Sequence, residues 1–367
     1  MLKLFYKLKW GVIMSRIEDV DKNLKVETKI EKEGLKFYHA LSEPFKIYGV
    51  FMEDGKFRRL PEKVAENVSK FVLTLHSHTA GGRVRFRTNS PYVAINVKMG
   101  SIGKMPHFAL AGSAGFDVYR NDGNGEDYVR TLMPPFDIND GYESLIPFED
   151  EVMRDVTINF PLYSEVKELY IGLDENAVIE APTPYVDKKP IVYYGSSITQ
   201  GGCASRPGNC YQGYISRTFN CDYINLGFSG SAKAEDEMIE YIKGLDMSLF
   251  VYDYDHNAPD VEHLKNTHEK MFKAIREAHP DLPIIIMSAP IFNIKDPAWA
   301  ERRDVVKATY DNAVSAGDRN VYFVDGKALM SLCENNGTVD NCHPNDLGFY
   351  SMARVLAFMI EKNGLMR

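Results

Sequence analysis

From residue 191 to the end of the chain, short and wholly apolar runs alternate with stretches of helical spacing. This rhythm restricts the fold more than any other feature. The runs are 191–194, 223–226, 249–253, 283–289 and 321–325, with helix candidates at 261–279 and 300–316 and a closing helix over 346–362. A strand that is apolar on both faces cannot meet water on either side, so the pattern predicts a parallel sheet covered by helices above and below. Ligands then belong at the carboxyl ends of the strands.

Before about residue 185 the pattern is different. Runs 71–76, 83–87, 93–97, 156–160 and 166–171 suit strands, and Gly81-Gly82, Asn89-Ser90-Pro91 and residues 121–125 are turn signals between them. This half reads as an all-β, jelly-roll-like sandwich. Three prolines within 181–190 mark the change of period, which gives a β-sandwich over 1–185 and an α/β domain over 186–367. At 367 residues two domains are the default, since single hydrophobic cores rarely grow so large.

The balance of 43 basic against 51 acidic residues, with no long basic stripe, argues against nucleic acid as the main partner. The first fourteen residues mix lysines with apolar residues, but Lys7 and Lys9 interrupt the apolar stretch and no small-x-small cleavage site follows. The expectation is a cytoplasmic protein without membrane contact, with Met14 as an alternative start and a frayed extension before it. Five cysteines, Cys203, Cys210, Cys221, Cys333 and Cys342, are an odd number and fit reduced thiols, although Cys203 and Cys210 are spaced to close a loop in an oxidising compartment.

The chemistry is written at the strand ends. The first predicted strand runs into Gly195-Ser196-Ser197, the second into Asn225-Leu226-Gly227-Phe228-Ser229-Gly230 and the third into Asp253-Tyr254-Asp255-His256-Asn257. The fifth leads on to Asp340 and His343. A serine hydroxyl becomes a useful nucleophile when an imidazole takes its proton, and the imidazole needs a carboxylate to fix its tautomer. Ser197, His343 and Asp340 supply those three parts. The oxyanion formed on attack needs preorganised donors, for which the N–H groups of Ser197 and Gly230 and the amide of Asn257 are candidates. Blander readings exist: Gly-Ser-Ser is a common turn, Ser197 and Asp340 can cap helices, and Asn257 can serve a turn.

The four blocks together resemble the SGNH (GDSL-type) hydrolase superfamily: Gly-x-Ser-Ile-Thr, Asn-x-Gly-x-x-Gly, an Asn after the third strand, and Asp-x-x-His before the last helix. The resemblance covers 189–367. It implies a three-layer, flavodoxin-like parallel sheet, Ser197 as nucleophile, Gly230 and Asn257 as oxyanion donors, His343 and Asp340 as the rest of the triad, and no metal or organic cofactor. The first half is similar to the β-domain that precedes some bacterial SGNH esterases, through Gly115-Phe116-Asp117-Val118-Tyr119. Two departures stand out. Ser196 replaces the usual Asp, so bracing of that turn must pass to a hydroxyl, and the third block places Asp255 and His256 beside Asn257.

Around this set, Arg206, His256 and Trp299 are expected substrate contacts: a cation beyond the nucleophile turn, a pocket imidazole, and a stacking wall for a sugar ring. His76 and His78 alternate on one strand face, a spacing that metal sites can use, but with no third ligand in view they read as solvated or packed imidazoles. His263, His268 and His279 read as surface residues of a helix. The expected activity is hydrolysis of short acyl esters, chiefly acetyl, on a small molecule or oligosaccharide through an acyl-enzyme. The alternatives are a lipid or thioester acylhydrolase, or a carbohydrate-binding protein on an esterase scaffold.

Overall fold

The five apolar runs form one parallel sheet in the order Tyr223–Gly227, Ile191–Gly195, Leu249–Asp253, Ile284–Met287, Val321–Val324. This is the flavodoxin-like order, and its reversal falls where Gly195 lies opposite Asp253. The period of two divides each strand between two cores. Ile191 and Tyr193 face helices Tyr211–Phe219 and Asp346–Asn363, meeting Tyr211, Phe349 and Leu356. Val192 and Tyr194 face helices Asp236–Lys243 and Val261–Ala278, meeting Met238, Leu264 and Met271. Three layers result, as the apolar strands require.

The computed structural model describes residues 28–123 and 125–366. The expectations for the first fourteen residues and for Met14 lie outside the described residues, as does Asn124 of the 121–125 turn.

The first half is a sandwich of two antiparallel sheets. One runs Leu35–His39, Ser164–Asp174, Tyr92–Ile102, Gly141–Pro147. The other runs Ile179–Glu180, Arg83–Thr88, Arg154–Asn159, Phe116–Asn121, Glu126–Leu132, with Lys46–Tyr48 also on Arg83–Thr88. Inward residues of both sheets, such as Val84, Phe86, Ile95, Val118, Ile158 and Leu169, share one core.

Residues 71–76, expected to be a strand, are helical: Lys70–Leu75 follows a first helix over Glu62–Val68. Ser69 caps the second helix, its Oγ accepting from the Val72 N–H at 3.1 Å. Phe71, Leu73 and Leu75 imitate strand alternation, yet Phe71 is 70% exposed, while Ala65 and Val72 are buried with Val68 and Leu75 partly buried beside them, which is helical spacing. That line packs into the α/β core beside Met238 and Ile242. His76 therefore follows a helix, with Nδ1 2.5 Å from the Leu73 carbonyl, and shares no strand face with His78.

His268 is a second correction. It is buried rather than on the surface, stacked against Tyr252 and Tyr254 at 4.7 and 5.6 Å, with Nδ1 2.8 Å from Thr309 Oγ1. Four-residue spacing from Leu264 places it on the inner face, and burial pushes its pKa down to about 3. His263 and His279 are half-buried, each within 2.9 Å of a backbone carbonyl. All five cysteines are unpaired thiols. Among the described residues no helix is long and apolar enough to cross a membrane.

Three arginines join the halves. Arg59 is fully buried and donates to the carbonyls of His78 and Leu75 on one side and of Asn225 and Gly227 on the other. Burial pulls its pKa down to about 9. Arg83 pairs with Asp222, and Arg206 reaches Asp117 at 2.8 Å.

Candidate active site

The strand Ile191–Gly195 ends where no side chain fits. A Cβ on Gly195 would lie 1.8 Å from Asp253 Oδ1 and 2.3 Å from Thr199 Oγ1. Ser196 then caps the short helix Ser197–Gln200, its Oγ accepting from the Ile198 N–H at 3.2 Å. The hydroxyl thus performs the bracing expected of an Asp, and the capping role falls to Ser196 rather than Ser197. Ser197 itself is 9% exposed.

Nearly every polar group around this turn is used. Thr199 Oγ1 bonds Asp253, and the Thr199 carbonyl accepts from Gln212 Nε2 at 2.7 Å and Asn225 Nδ2 at 2.8 Å. Gln200 accepts from the Ser229 N–H at 3.0 Å and donates to the Leu162 carbonyl at 3.2 Å. It therefore ties the nucleophile turn both to the 228–230 loop and to the β-half. The β-half makes a second contact here, since Tyr163 donates to the Ser197 carbonyl at 3.1 Å. Burial pushes the Asp253 carboxyl well above its usual range.

The imidazole arrives from the other end of the chain. His343 Nε2 lies 2.9 Å from Ser197 Oγ, and His343 Nδ1 lies 2.7 Å from Asp340 Oδ2. The other Asp340 oxygen accepts from the N–H groups of Cys342 and His343 at 3.0 and 2.7 Å, so one carboxylate both holds the turn and meets the ring. Burial raises that carboxyl, but these bonds from His343 and Cys342 outweigh it and leave it below its usual range. It is an anion at neutral pH. A hydroxyl, imidazole and carboxylate in series can pass a proton from oxygen to nitrogen and stabilise the imidazolium.

The expected oxyanion donors frame the same edge. Gly230 has φ 65°, a left-handed turn suited to glycine, with open space where a Cβ would project. Asn257 Nδ2 donates to the Phe228 carbonyl at 2.9 Å, which holds the amide against the Gly230 loop. Arg302 fixes the Asn257 segment from outside, donating to the carbonyls of Asp255 and Ala258 at 2.6 and 2.9 Å.

His256 packs on Trp299 at 4.8 Å and lies 3.9 Å from Cys342 Sγ, so both expected contacts stand beside the His343 turn. Burial, then the neighbouring His343 and Arg302, pushes His256 down to about 4. It is neutral at pH 7, and the ring hydrogen-bonded to Ser197 is that of His343. Asp255 is buried, accepts from the Ala289 N–H at 2.8 Å, and is pushed up to about 6 by burial.

Arg206 departs from its expected role as a substrate contact. Its guanidinium pairs with buried Asp117 and bonds Tyr119, and it stacks over Tyr128 at 3.7 Å. Asp117 also accepts from the Gly208 N–H at 2.8 Å. The Gly115–Tyr119 segment is thus the socket for the 206–208 loop, and Arg206 holds the halves together. The sequence reading missed His107, an exposed residue of the β-half whose ring lies 5.8 Å from that of His343. Its nitrogen, an Asp340 oxygen and a His343 nitrogen lie within 4.8 Å of one another. Nothing local in Pro106-His107-Phe108 marks this position, which depends on how the halves dock.

The fold and this edge define a class, the carboxylic ester hydrolases with an SGNH-type α/β domain. Residues 188–361 match the "GDSL-like Lipase/Acylhydrolase family", and residues 35–179 match the "N-terminus of Esterase_SGNH_hydro-type". The second part of the chain is thus similar to the GDSL-like hydrolases, and the first part to the domain that precedes the SGNH-type esterase half. A protein from Bacteroides ovatus ATCC 8483 described as a GDSL-like lipase is 27% identical with TM-score 0.79, over 89% of this chain and 97% of that one. A salicylyl-acyltransferase from a tetracycline biosynthetic pathway is 20% identical with TM-score 0.73, over 91% and 99%. A family two carbohydrate esterase from Clostridium thermocellum, in complex with cellohexaose, is 16% identical with TM-score 0.55, over 78% and 94%. The last two likenesses concern the fold. No curated protein matches the chain significantly.

Proposed function

We propose that this protein is a serine esterase that removes short acyl groups, chiefly acetyl, from a carbohydrate. The observation that carries the reading is the unbroken series from Ser197 Oγ to His343 Nε2 at 2.9 Å and from His343 Nδ1 to Asp340 Oδ2 at 2.7 Å. Ser197 Oγ attacks the acyl carbon while its proton passes to His343 Nε2. The carbonyl oxygen becomes an oxyanion received by the N–H groups of Ser197 and Gly230 and by the second amide N–H of Asn257. Collapse breaks the bond to the alcohol oxygen, which takes the proton back from His343 and leaves the acyl group on Ser197. Water, deprotonated by the same imidazole, then attacks the acyl-enzyme and releases the carboxylic acid and free Ser197.

The carbohydrate half of the reading draws on half-buried Trp299 beside the site and on the fold shared with an esterase bound to cellohexaose. Trp299, packed with His256 at 4.8 Å and with Arg302 at 5.1 Å, supplies beside the site an aromatic ring of the kind that suits the apolar face of a pyranose. The test is Ser197→Ala assayed on 4-nitrophenyl acetate and on acetylated xylo-oligosaccharides. Turnover of both falls by at least about a thousandfold with the fold intact by circular dichroism. Undiminished hydrolysis by the variant removes the assignment.

A further inference from the structure

The β-half reaches the reacting groups through one exposed side chain, and we propose that His107 binds the alcohol portion of the substrate by holding a hydroxyl that neighbours the esterified oxygen. This inference rests on the reading of Ser197 and His343 given above. The alcohol oxygen must take its proton from His343 Nε2 and therefore sits beside that ring. The acyl oxygen, in contrast, is directed toward Gly230 and Asn257. The His107 ring, 5.8 Å from that of His343 and inclined at 43° to it, comes from the β-half, whereas Gly230 and Asn257 belong to the α/β half. The adjacent carbon of a 1,2-diol places its own hydroxyl one bond further out, toward His107. Imidazole suits the task because it offers a donor on one nitrogen and an acceptor on the other.

The loop that carries His107 is anchored well enough to position it. Phe108, next in sequence, is buried and packs edge-on against Tyr163 at 5.2 Å, the residue whose hydroxyl reaches the Ser197 carbonyl. Just beyond, Gly112 of helix Leu110–Ser113 lies so close to the α/β half that a Cβ would stand 2.0 Å from the Ala204 carbonyl oxygen. His107 is thus exposed immediately before two fixed contacts. The acceptor preference of the enzyme resides in part on the β-half, while the bond-breaking groups reside on the other.

The experiment compares three acetyl esters: 4-nitrophenyl acetate, whose leaving group has no neighbouring hydroxyl, a methyl glucopyranoside acetylated at one position next to a free hydroxyl, and the analogue deoxygenated at that neighbouring carbon. In His107→Ala, kcat/KM falls about tenfold on the hydroxylated sugar and stays within about twofold on the other two; His107→Gln recovers part of the loss. In the wild type, removing the neighbouring hydroxyl costs the same factor, and in His107→Ala it costs nothing further. Equal losses on all three esters, or none on any, overturn the proposal and leave the Ser197 reading standing. Activity lost on dialysis against EDTA and restored by zinc makes His107 a metal ligand and also overturns it. A wild type that cleaves none of the esters takes down the esterase reading, and this inference with it.

Discussion

The turn that presents the serine and the turn that presents the imidazole are built in opposite ways. Residues 196–200 are all buried, and their polar groups are held by Asp253, Gln212, Asn225, Ser229 and Tyr163, which come from both halves of the molecule. Residues 340–343 are half-exposed or exposed and are held mainly by themselves, through the Asp340 carboxylate, the Val339 N–H on the His343 carbonyl at 2.9 Å, and left-handed Asn341 at φ 66°. The nucleophile is fixed by tertiary structure, the base by a local turn. Sequence changes should therefore damage folding at the first turn and chemistry at the second.

The largest effect sharpens that contrast. Asp340→Asn can still accept from the Cys342 and His343 N–H groups, but its amide favours the wrong His343 tautomer. Turnover of 4-nitrophenyl acetate should fall about ten-thousandfold, while the melting temperature moves by only about 3 °C or less. A large drop in melting temperature would show the second turn to be as deeply integrated as the first. Gly195→Ala reverses the pattern: its Cβ meets Asp253 and Thr199, so urea denaturation should register a loss of about 1–3 kcal/mol. An unchanged midpoint would mean that the nucleophile turn yields easily.

The smallest effect concerns Asp253. Its native pKa lies above the ordinary value, so as pH rises past about 4 the unfolded chain releases a proton that the folded chain retains. Native stability therefore falls with rising pH at this group, up to its folded pKa. Asp253→Asn should melt at an equal or higher temperature than wild type at pH 7, with the difference shrinking toward pH 4 and with activity retained. A lower melting temperature than wild type at pH 7 that recovers toward pH 4 would overturn this reading of Asp253.

The parallel sheet was legible because strands buried on both faces carry few polar positions to confuse the pattern, Asn225 and Asp253 among them. The Ser197, Asn257 and Asp340–His343 blocks were legible because each lies within a few residues of a strand end or a helix start. The helical pair over 62–75 was misread because three apolar residues at alternate positions, Phe71, Leu73 and Leu75, masked a buried line visible only over a longer window. His268 was misjudged because imidazole is polar, although one hydroxyl from Thr309 suffices to bury it. Arg206 was misassigned and His107 missed for a single reason. Both depend on the docking of one half on the other, which places Asp117 beneath the arginine and the histidine beside His343, and neither distance is encoded near the residue itself.

Arg59 makes the two halves a single purchase for evolution and for the experimenter alike. Its guanidinium has carbonyls from both sides as its hydrogen-bond partners, so cutting the polypeptide near Pro184 leaves buried donors and acceptors bare on each new surface. Either fragment expressed alone should aggregate, whereas mixing the two during refolding should restore a soluble, active pair. Swapping in a foreign β-sandwich to change substrate preference would succeed only if it carries its own arginine to the same carbonyls.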